Sequence, residues 1–557
     1  MHGDRCTDLI SHRLAPESAP RRLPRPGETK HAPDKGNRMS ERLPPGVTPE
    51  NFARAFTEFR DIVGAQWASD SQADRETYHD PFNAGDPLEF VAGGFVAPEN
   101  VAEVQAVVRA AGRHGVPLWP VSTGKNLAYG GAAPLVPGTV VLDLKRMRRI
   151  LEVDEDLAYA YVEPGVSFFD LYDYLREREI RLWMSVPGPG WGSIVGNGLE
   201  RGIGYGYFSD HFGTSAGLEV VLPNGELMRC GMGAMANSTS GPLLNYGYGP
   251  AVDAIFTQSN YGVVTKMSRF LIPEPETYLS CEANCFNDAG LEALVDGLRR
   301  FELDETIRNP VVVTNVALIA SFVSVRSQWY DGDGPLPPDV LDQIQTQLGL
   351  GRWNASFALY GNEVTVNDAW ARIQRALGAI PGIEFKARRY HPGDVIEHPR
   401  DQSQAGVPNL TEFGLANWYG AGGHIDFSPV GPNTGEHARK MNTLIGKRMQ
   451  EFGFDHLAGF YCNTRVLRFI NTIVFRKTNP DDLKKVREMF GLLVTDLADS
   501  GYGEYRTHLA YMDKVAQTFD FNNHAMLRFQ ELLKDAIDPQ GIIAPGKSGV
   551  WPRSYRE

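Results

Sequence analysis

Three short stretches of the chain carry residue types that could do chemistry. In WPVSTGKNLAYGG, Trp119 to Gly131, small turn-forming residues surround one tyrosine, Tyr129. Gly124, Gly130 and Gly131 can take positive φ or let the backbone approach a ligand closely, and Ser122, Thr123, Lys125 and Asn126 add donors, so the loop suits a phosphate. A single glycine-rich loop is weak evidence by itself, because ordinary surface loops share its composition. In GEYRTHLAY, Gly503 to Tyr511, Tyr505 stands beside Arg506. A guanidinium near a phenol favours the anion through opposite-charge attraction and hydrogen bonding, but on spacing alone the pair also fits a strand end making surface bonds. In WYGAGGHIDFSPV, Trp418 to Val430, His424 and Asp426 are two residues apart and share a face if the segment is a strand. A lone histidine in an apolar strand is more often a packed core residue than a working one.

These residues need elements to hold them. The run NVAEVQAVVRAAGRH, Asn100 to His114, has helical patterning and leads through the strand VPLWPVS into the glycine loop. GTVVLDL, Gly138 to Leu144, and LAYAYVEPGV, Leu157 to Val166, read as strands from β-branched and aromatic alternation bounded by Pro and Gly. No G-x-G-x-x-G opens a helix after the first strand, which counts against a doubly wound dinucleotide fold. After Pro273 and Pro275 the pattern changes to a helix at Gly290 to Phe301, a strand-like VVVTNVALIAS, an acidic Gly/Pro loop from Asp331 to Pro338, and further alternation. This stretch reads as a separate cap.

With 557 residues the chain exceeds one hydrophobic core, and two packed domains with a flexible end are expected. Residues 1–43 are rich in Arg and Pro and predict disorder, with Met39 an alternative start. The pair Arg21-Arg22 lacks the apolar run of an export signal, so a cytoplasmic location is expected. No apolar run nears the roughly 20 residues of a membrane helix, and a net charge of −13 argues against a general nucleic-acid surface. Cys6, Cys230, Cys281, Cys285 and Cys462 are scattered and read as reduced thiols; Cys281 and Cys285 have half-site spacing but no accompanying pair, so no metal is expected.

Further motifs join the glycine loop in order: VEPGVSFFDLYDYL from Val162, GNGLERGIGYG from Gly196, GLEVVLPNGE from Gly217, QSNYGVVTK from Gln258 and DPQGIIAPGK ending at Lys547. From about Thr48 to the C-terminus the chain resembles the vanillyl-alcohol oxidase family of 4-phenol oxidases. The resemblance implies an α+β, two-subdomain FAD-binding fold with an α+β cap over the flavin: FAD domain 44–275, cap 276–489, and a return to the FAD domain at 490–557. It implies oxidation of 4-hydroxybenzylic alcohols and 4-alkyl or 4-allyl phenols by hydride transfer to flavin N5 through a para-quinone methide, with dioxygen reduced to hydrogen peroxide. Tyr129, Tyr505 and Arg506 match the phenolate-binding group, and His424 matches the histidine bonded covalently to FAD. His79, in YHDPF, matches a histidine that assists the linkage, and Arg400 an arginine on the N1 side of the flavin; Ser122, Thr123, Gly124, Lys125, Asn126, Gly130 and Lys547 fall in cofactor-binding stretches. Gly188, in VPGPGWGS, departs from the pattern, since the family carries an aspartate there beside N5. Asp426 then reads either as a relocated acid/base or as an aspartate paired with a cap arginine. A homodimer is implied, because Gly231 to Pro250 is shorter than the loop that joins dimers in an octameric relative. Two alternatives stand: a dehydrogenase like p-cresol methylhydroxylase that passes electrons to a cytochrome, although that relative links its flavin through tyrosine, or a flavoprotein that has lost turnover and only binds.

Overall fold

The computed structural model describes residues 43–86, 88–420 and 422–556. The expected N-terminal extension, with Cys6, Arg21, Arg22 and Met39, lies outside the described residues apart from its last residue, Leu43.

Two small sheets build the first part. Gly94–Val96, Val140–Asp143 and Leu118–Val121 pair in parallel, with Ala68–Ser69 antiparallel at one edge. Beside them the helix Val101–His114 starts where the Asn100 side chain accepts from the Glu103 backbone N–H and stops at Gly115, in the left-handed conformation at φ 67°. Val104, Val107, Val108 and Ala111 recur at helical spacing and pack in one core with Leu118, Val140 and Leu142. That core fixes the strand from which the glycine loop leaves. The second sheet is antiparallel, in the order Ile150–Asp154, Tyr159–Val162, Val263–Phe270, Ser215–Val221, Leu227–Arg229.

The third sheet has eight strands and holds much of the functional surface. Its order is Ile383–Tyr390, Thr277–Cys285, Trp353–Gly361, Val311–Asn315, Ala458–Asn463, Val466–Arg476, Gly422–Phe427, with Val430–Pro432 also pairing to Val466–Arg476. Side chains alternate across a strand, so the two faces diverge. Cys281, Cys285, Phe357, Phe460, Phe469, Ile473, Ile425 and Phe427 share one large core with Leu294 and Leu298 from Gly290–Leu303, Met441 and Ile445 from Gly435–Phe452, and Met489 and Leu493 from Pro480–Asp499. Cys281 and Cys285 are thus packed core thiols, and no cluster that could hold a metal occurs among the described residues. The opposite face carries Tyr461, Ile470, Thr472, His424 and Asp426.

Two sequence expectations change. VVVTNVALIAS is a strand only to Asn315 and a helix from Val316 to Val323. Asn315 causes the switch: its carboxamide oxygen accepts the Leu318 backbone N–H at 3.0 Å, capping the helix, while its Nδ2 donates to His456 O at 2.7 Å. The boundary placed at residue 490 falls inside the unbroken helix Pro480–Asp499, whose Val486, Met489, Phe490, Leu493 and Leu497 all sit in the cap core. A 3.6-residue period that continues through residue 490 leaves no break in the helix there.

Replacing Asn315 with Ala removes the cap and leaves the His456 carbonyl without that donor. The expected loss is about 1–2 kcal/mol, seen as a lower melting temperature in thermal denaturation.

Candidate active site

A deep cavity opens between the glycine loop, the second sheet and the free face of the large sheet. Its walls include Ser122, Thr123, Gly124, Lys125, Asn126 and Tyr129 from the loop, Gly188, Lys547, and His424, Asp426, Tyr505 and Arg506. The sequence motifs, scattered over the chain, therefore converge. Gly130 does not line the cavity; its φ of 111° turns the loop, and a side chain there would meet Leu509. Gly196 lets the following segment approach the loop, since a Cβ on it would overlap Ser122 Oγ. Lys547 Nζ lies 2.7 Å from Glu200 Oε1 at the cavity wall.

At one end, Arg506 donates to Asn126 Oδ1, and its guanidinium carbon lies 4.1 Å from the centre of the Tyr129 ring. Its buried Nε has no partner among the described residues. The Tyr129 hydroxyl is 3.2 Å from Ser428 Oγ, and Tyr505 is held by its backbone, its N–H donating to Ser428 O at 3.3 Å and its carbonyl accepting from Gln258 Nε2 at 2.8 Å. Tyr505 and Arg506 thus lie against the cavity and are not a surface strand end. Burial raises the Tyr129 phenol well above its ordinary pKa, with Asp426 pushing the same way and Arg506 opposing; Tyr505 is likewise raised by burial, against Arg506 and Arg468. Both tyrosines therefore remain O–H donors at neutral pH, beside a permanent cation. Behind them Glu504 accepts the Ser428 N–H at 3.0 Å, and burial pushes its carboxyl up to about 8.

His424 and Asp426 lie on Gly422–Phe427, both facing the cavity, while Ile425 and Phe427 enter the core, as strand alternation requires. Burial lowers the His424 pKa, with Asp426 and Asp80 pulling it back up, so the imidazole is neutral at pH 7. Its Nδ1 is buried without a partner among the described residues, and Phe82 packs against the ring at 4.7 Å between centroids. His79 faces away: it is exposed, and its Nδ1 contacts Glu76 O. The side chain turned inward is its neighbour Asp80, which accepts from His508 Nε2 at 2.7 Å, while the Ala510 N–H donates to His508 Nδ1 at 3.2 Å. Asp426 makes no ion pair among the described residues, so the expected alternative of a cap arginine partner is not found; its Oδ1 is buried and unpartnered.

Gly188 lines the other end, and the missing side chain leaves no gap. A Cβ built there would overlap Glu412 Oε2, so the Glu412 carboxylate fills that space. It arrives from the turn Thr411–Asn417, and its Oε1 accepts the Tyr205 hydroxyl at 2.5 Å. Tyr461 OH lies 2.7 Å from the Tyr205 oxygen, and the Arg400 guanidinium carbon lies 4.8 Å from the Tyr205 ring centre. Arg400 therefore stands behind Tyr205 and faces the Glu412 group. Glu412, Tyr461 and Asp80 escaped the sequence reading; Tyr205 was inside a quoted glycine motif, and Asp80 adjoined His79, but nothing in the spacing of TEFGL marks Glu412.

The residues fit a flavin dinucleotide: a glycine loop for phosphates, a neutral buried imidazole with a free ring nitrogen, and fixed cations at the wall. Such a cavity, between a two-sheet α+β unit and a capping sheet, defines an FAD-linked oxidoreductase. Comparison with known proteins agrees. Residues 92–231 match the FAD binding domain family. The chain is 34% identical over 511 residues to the 4-cresol dehydrogenase [hydroxylating] flavoprotein subunit of Pseudomonas putida, covering 91% of this chain and 97% of that protein. It superposes on 4-ethylphenol oxidase from Gulosibacter chungangensis, solved in complex with isoeugenol, with a TM-score of 0.89 and 34% identity over 92% of this chain and 100% of that one. Substrate-bound p-cresol methylhydroxylase gives a TM-score of 0.87 and 34% identity over 91% of this chain and 99% of that one. The protein belongs to the vanillyl-alcohol oxidase/p-cresol methylhydroxylase family and is an FAD-dependent oxidoreductase.

Proposed function

We propose that this chain is an oxidase of para-substituted phenols, with FAD bonded covalently through His424 and dioxygen as the final electron acceptor. The observation that carries the reading is the group Tyr129, Tyr505 and Arg506 at one end of the flavin cavity. Two hydroxyl donors kept protonated and one guanidinium with an unpartnered Nε suit a phenolate oxygen. Holding the substrate as phenolate pushes electrons toward the para carbon and makes the benzylic C–H a hydride donor. Bound FAD supplies the hydride acceptor. The chain's own groups orient the ring, exclude water and move protons; Asp426, which faces the phenolate group with one oxygen free, takes the phenolic proton. Its assignment comes from position on the strand and from its charge acting on Tyr129 and Tyr505. The names of the relatives support the substrate class, 4-cresol, 4-ethylphenol and p-cresol being para-substituted phenols. Because an oxidase and a dehydrogenase are each 34% identical to this chain, identity does not choose the acceptor, and His424 is the residue that favours dioxygen.

Arg506→Ala, Tyr505→Phe and Asp426→Asn are expected to slow anaerobic flavin reduction by a 4-alkylphenol, the arginine change most. Loss of a hydrogen bond to a charged group costs ~1.5–3 kcal/mol, or about one to two decades in rate if felt fully in the transition state. Reduction by Arg506→Ala at the wild-type rate contradicts the phenolate group. Peroxide released in step with product supports dioxygen; turnover only with an added cytochrome supports the dehydrogenase reading.

The neutral His424 imidazole with a free ring nitrogen is a competent nucleophile toward the flavin methyl position. Wild-type protein should therefore keep its flavin fluorescence on a denaturing gel, and His424→Ala should lose it. Complete release of flavin from wild type on acid precipitation rules the bond out. A homodimer is proposed through the cap, and light scattering at the mass of an octamer would overturn it.

A further inference from the structure

The row of side chains that builds one wall of the flavin cavity continues past it. On the strand Val466–Arg476, Leu467, Phe469 and Ile473 enter the core, so Arg468, Ile470 and Thr472 share the opposite face. Ile470 and Thr472 line the flavin cavity. Arg468, one step further along the row, lines a second, more open cavity of about 420 Å³ together with Arg308, Tyr207 and Asn463. From there its guanidinium carbon lies 5.4 Å from the centre of the Tyr505 ring, which belongs to the flavin cavity.

The register accounts for this reach. Arg468 pairs with Val430, and Pro429 beside it bridges to Glu504, so the segment carrying Tyr505 lies one strand beyond Val430. Adjacent strands are about 4.8 Å apart, and a long side chain is needed to span two such steps. Arg468 makes no ion pair among the described residues, and the Asp210 carboxylate in the same cavity accepts the Gly213 N–H instead. The charge is therefore not cancelled by a carboxylate in contact. The groups acting on the Tyr505 phenol are Arg506, Arg468, Asp426 and Tyr129. Burial, the largest influence, keeps the phenol protonated; both arginines favour its ionisation and Asp426 opposes them. Positive charge over a phenol ring stabilises the negative charge that its oxygen gains on donating to an anion, which makes the hydroxyl a stronger donor.

We propose that Arg468 is a positioning residue of the phenolate group: from the outer cavity it holds the Tyr505 ring and, through that ring, strengthens the hydrogen bond that the Tyr505 hydroxyl donates to the substrate oxygen. The proposal rests on the phenolate reading above. It gives the site a second guanidinium that does not touch substrate and that stands far in sequence from the Tyr505-Arg506 pair.

The test uses the FAD-loaded enzyme and 4-chlorophenol, which has no benzylic carbon and so binds without being oxidised. Its dissociation constant and its ionisation when bound are read from ultraviolet difference spectra across pH, in wild type, Arg468→Met, Arg468→Lys, Tyr505→Phe and the double variant with Arg468→Met and Tyr505→Phe. Methionine keeps much of the apolar stem and removes the charge. Arg468→Met should weaken binding roughly three- to tenfold, the range of a partly buried cation–ring contact, and move ionisation of the bound phenol to higher pH. Arg468→Lys should recover most of both changes. Tyr505→Phe keeps the ring and loses the hydroxyl, so adding Arg468→Met to it should cost little more, and the two single losses should not add. Wild-type affinity and ionisation in Arg468→Met overturn the proposal. So does an undiminished loss in the Tyr505→Phe background, which shows a contribution that bypasses the hydroxyl, and so does Arg468→Lys as weak as Arg468→Met, which shows shape and not charge. If the wild-type enzyme itself binds 4-chlorophenol only in its neutral form, the parent phenolate reading fails, and that result is visible before any variant is made.

Discussion

Much of this active site depends on the two-residue period of one sheet. The strands Ala458–Asn463, Val466–Arg476 and Gly422–Phe427 must bury one face against the helices of the cap, and Phe460, Phe469, Ile473, Ile425 and Phe427 do so. Burial of each large apolar side chain contributes roughly 1.5–3 kcal/mol, so a one-residue slip in register would expose several of them at once. The same constraint turns Tyr461, Ile470, Thr472, His424 and Asp426 toward the cavity. Reactive groups are thus held by a core that has no part in the chemistry. A site built on strands in this way is more rigid than one built on loops.

The charges in the cavity are arranged in two groups. Arg506, with Tyr129 and Tyr505, forms one; Arg400, with Tyr205, Tyr461 and Glu412, forms the other. Asp426 acts on both, raising the pKa of Tyr129 and of Glu412. Burial is the larger cause of each rise, and the Asp426 charge adds to it. An arginine in each group limits the cost of burying these carboxylates, which would be severe for isolated charges.

A good part of this arrangement was legible in the sequence. The glycine loop was marked by its own composition, Tyr129, the Tyr505-Arg506 pair and His424 by the family resemblance of their motifs, and the shared face of His424 and Asp426 by strand alternation; they meet in one cavity. The helix before the glycine loop and its flanking strands were readable because caps and apolar periods coincide there. VVVTNVALIAS was misread because an apolar run has no period of its own; the single polar Asn315, which converts strand to helix, was the available cue. His79 is exposed while its neighbour Asp80 turns inward to His508, in a turn where neither residue type announces its direction. Glu412 was invisible because its placement depends on the empty space at Gly188, more than two hundred positions earlier in the chain, and no local pattern links the two.

The central claim is that the cavity binds its substrate as a phenolate at Arg506. Its most direct measurement is the ultraviolet difference spectrum of the holoenzyme with a phenol that has no benzylic hydrogen, such as 4-trifluoromethylphenol, titrated below the solution pKa of that phenol. The account predicts the phenolate spectrum in the bound state at pH values below that pKa. A bound ligand that keeps the spectrum of the neutral phenol across the titration would contradict it.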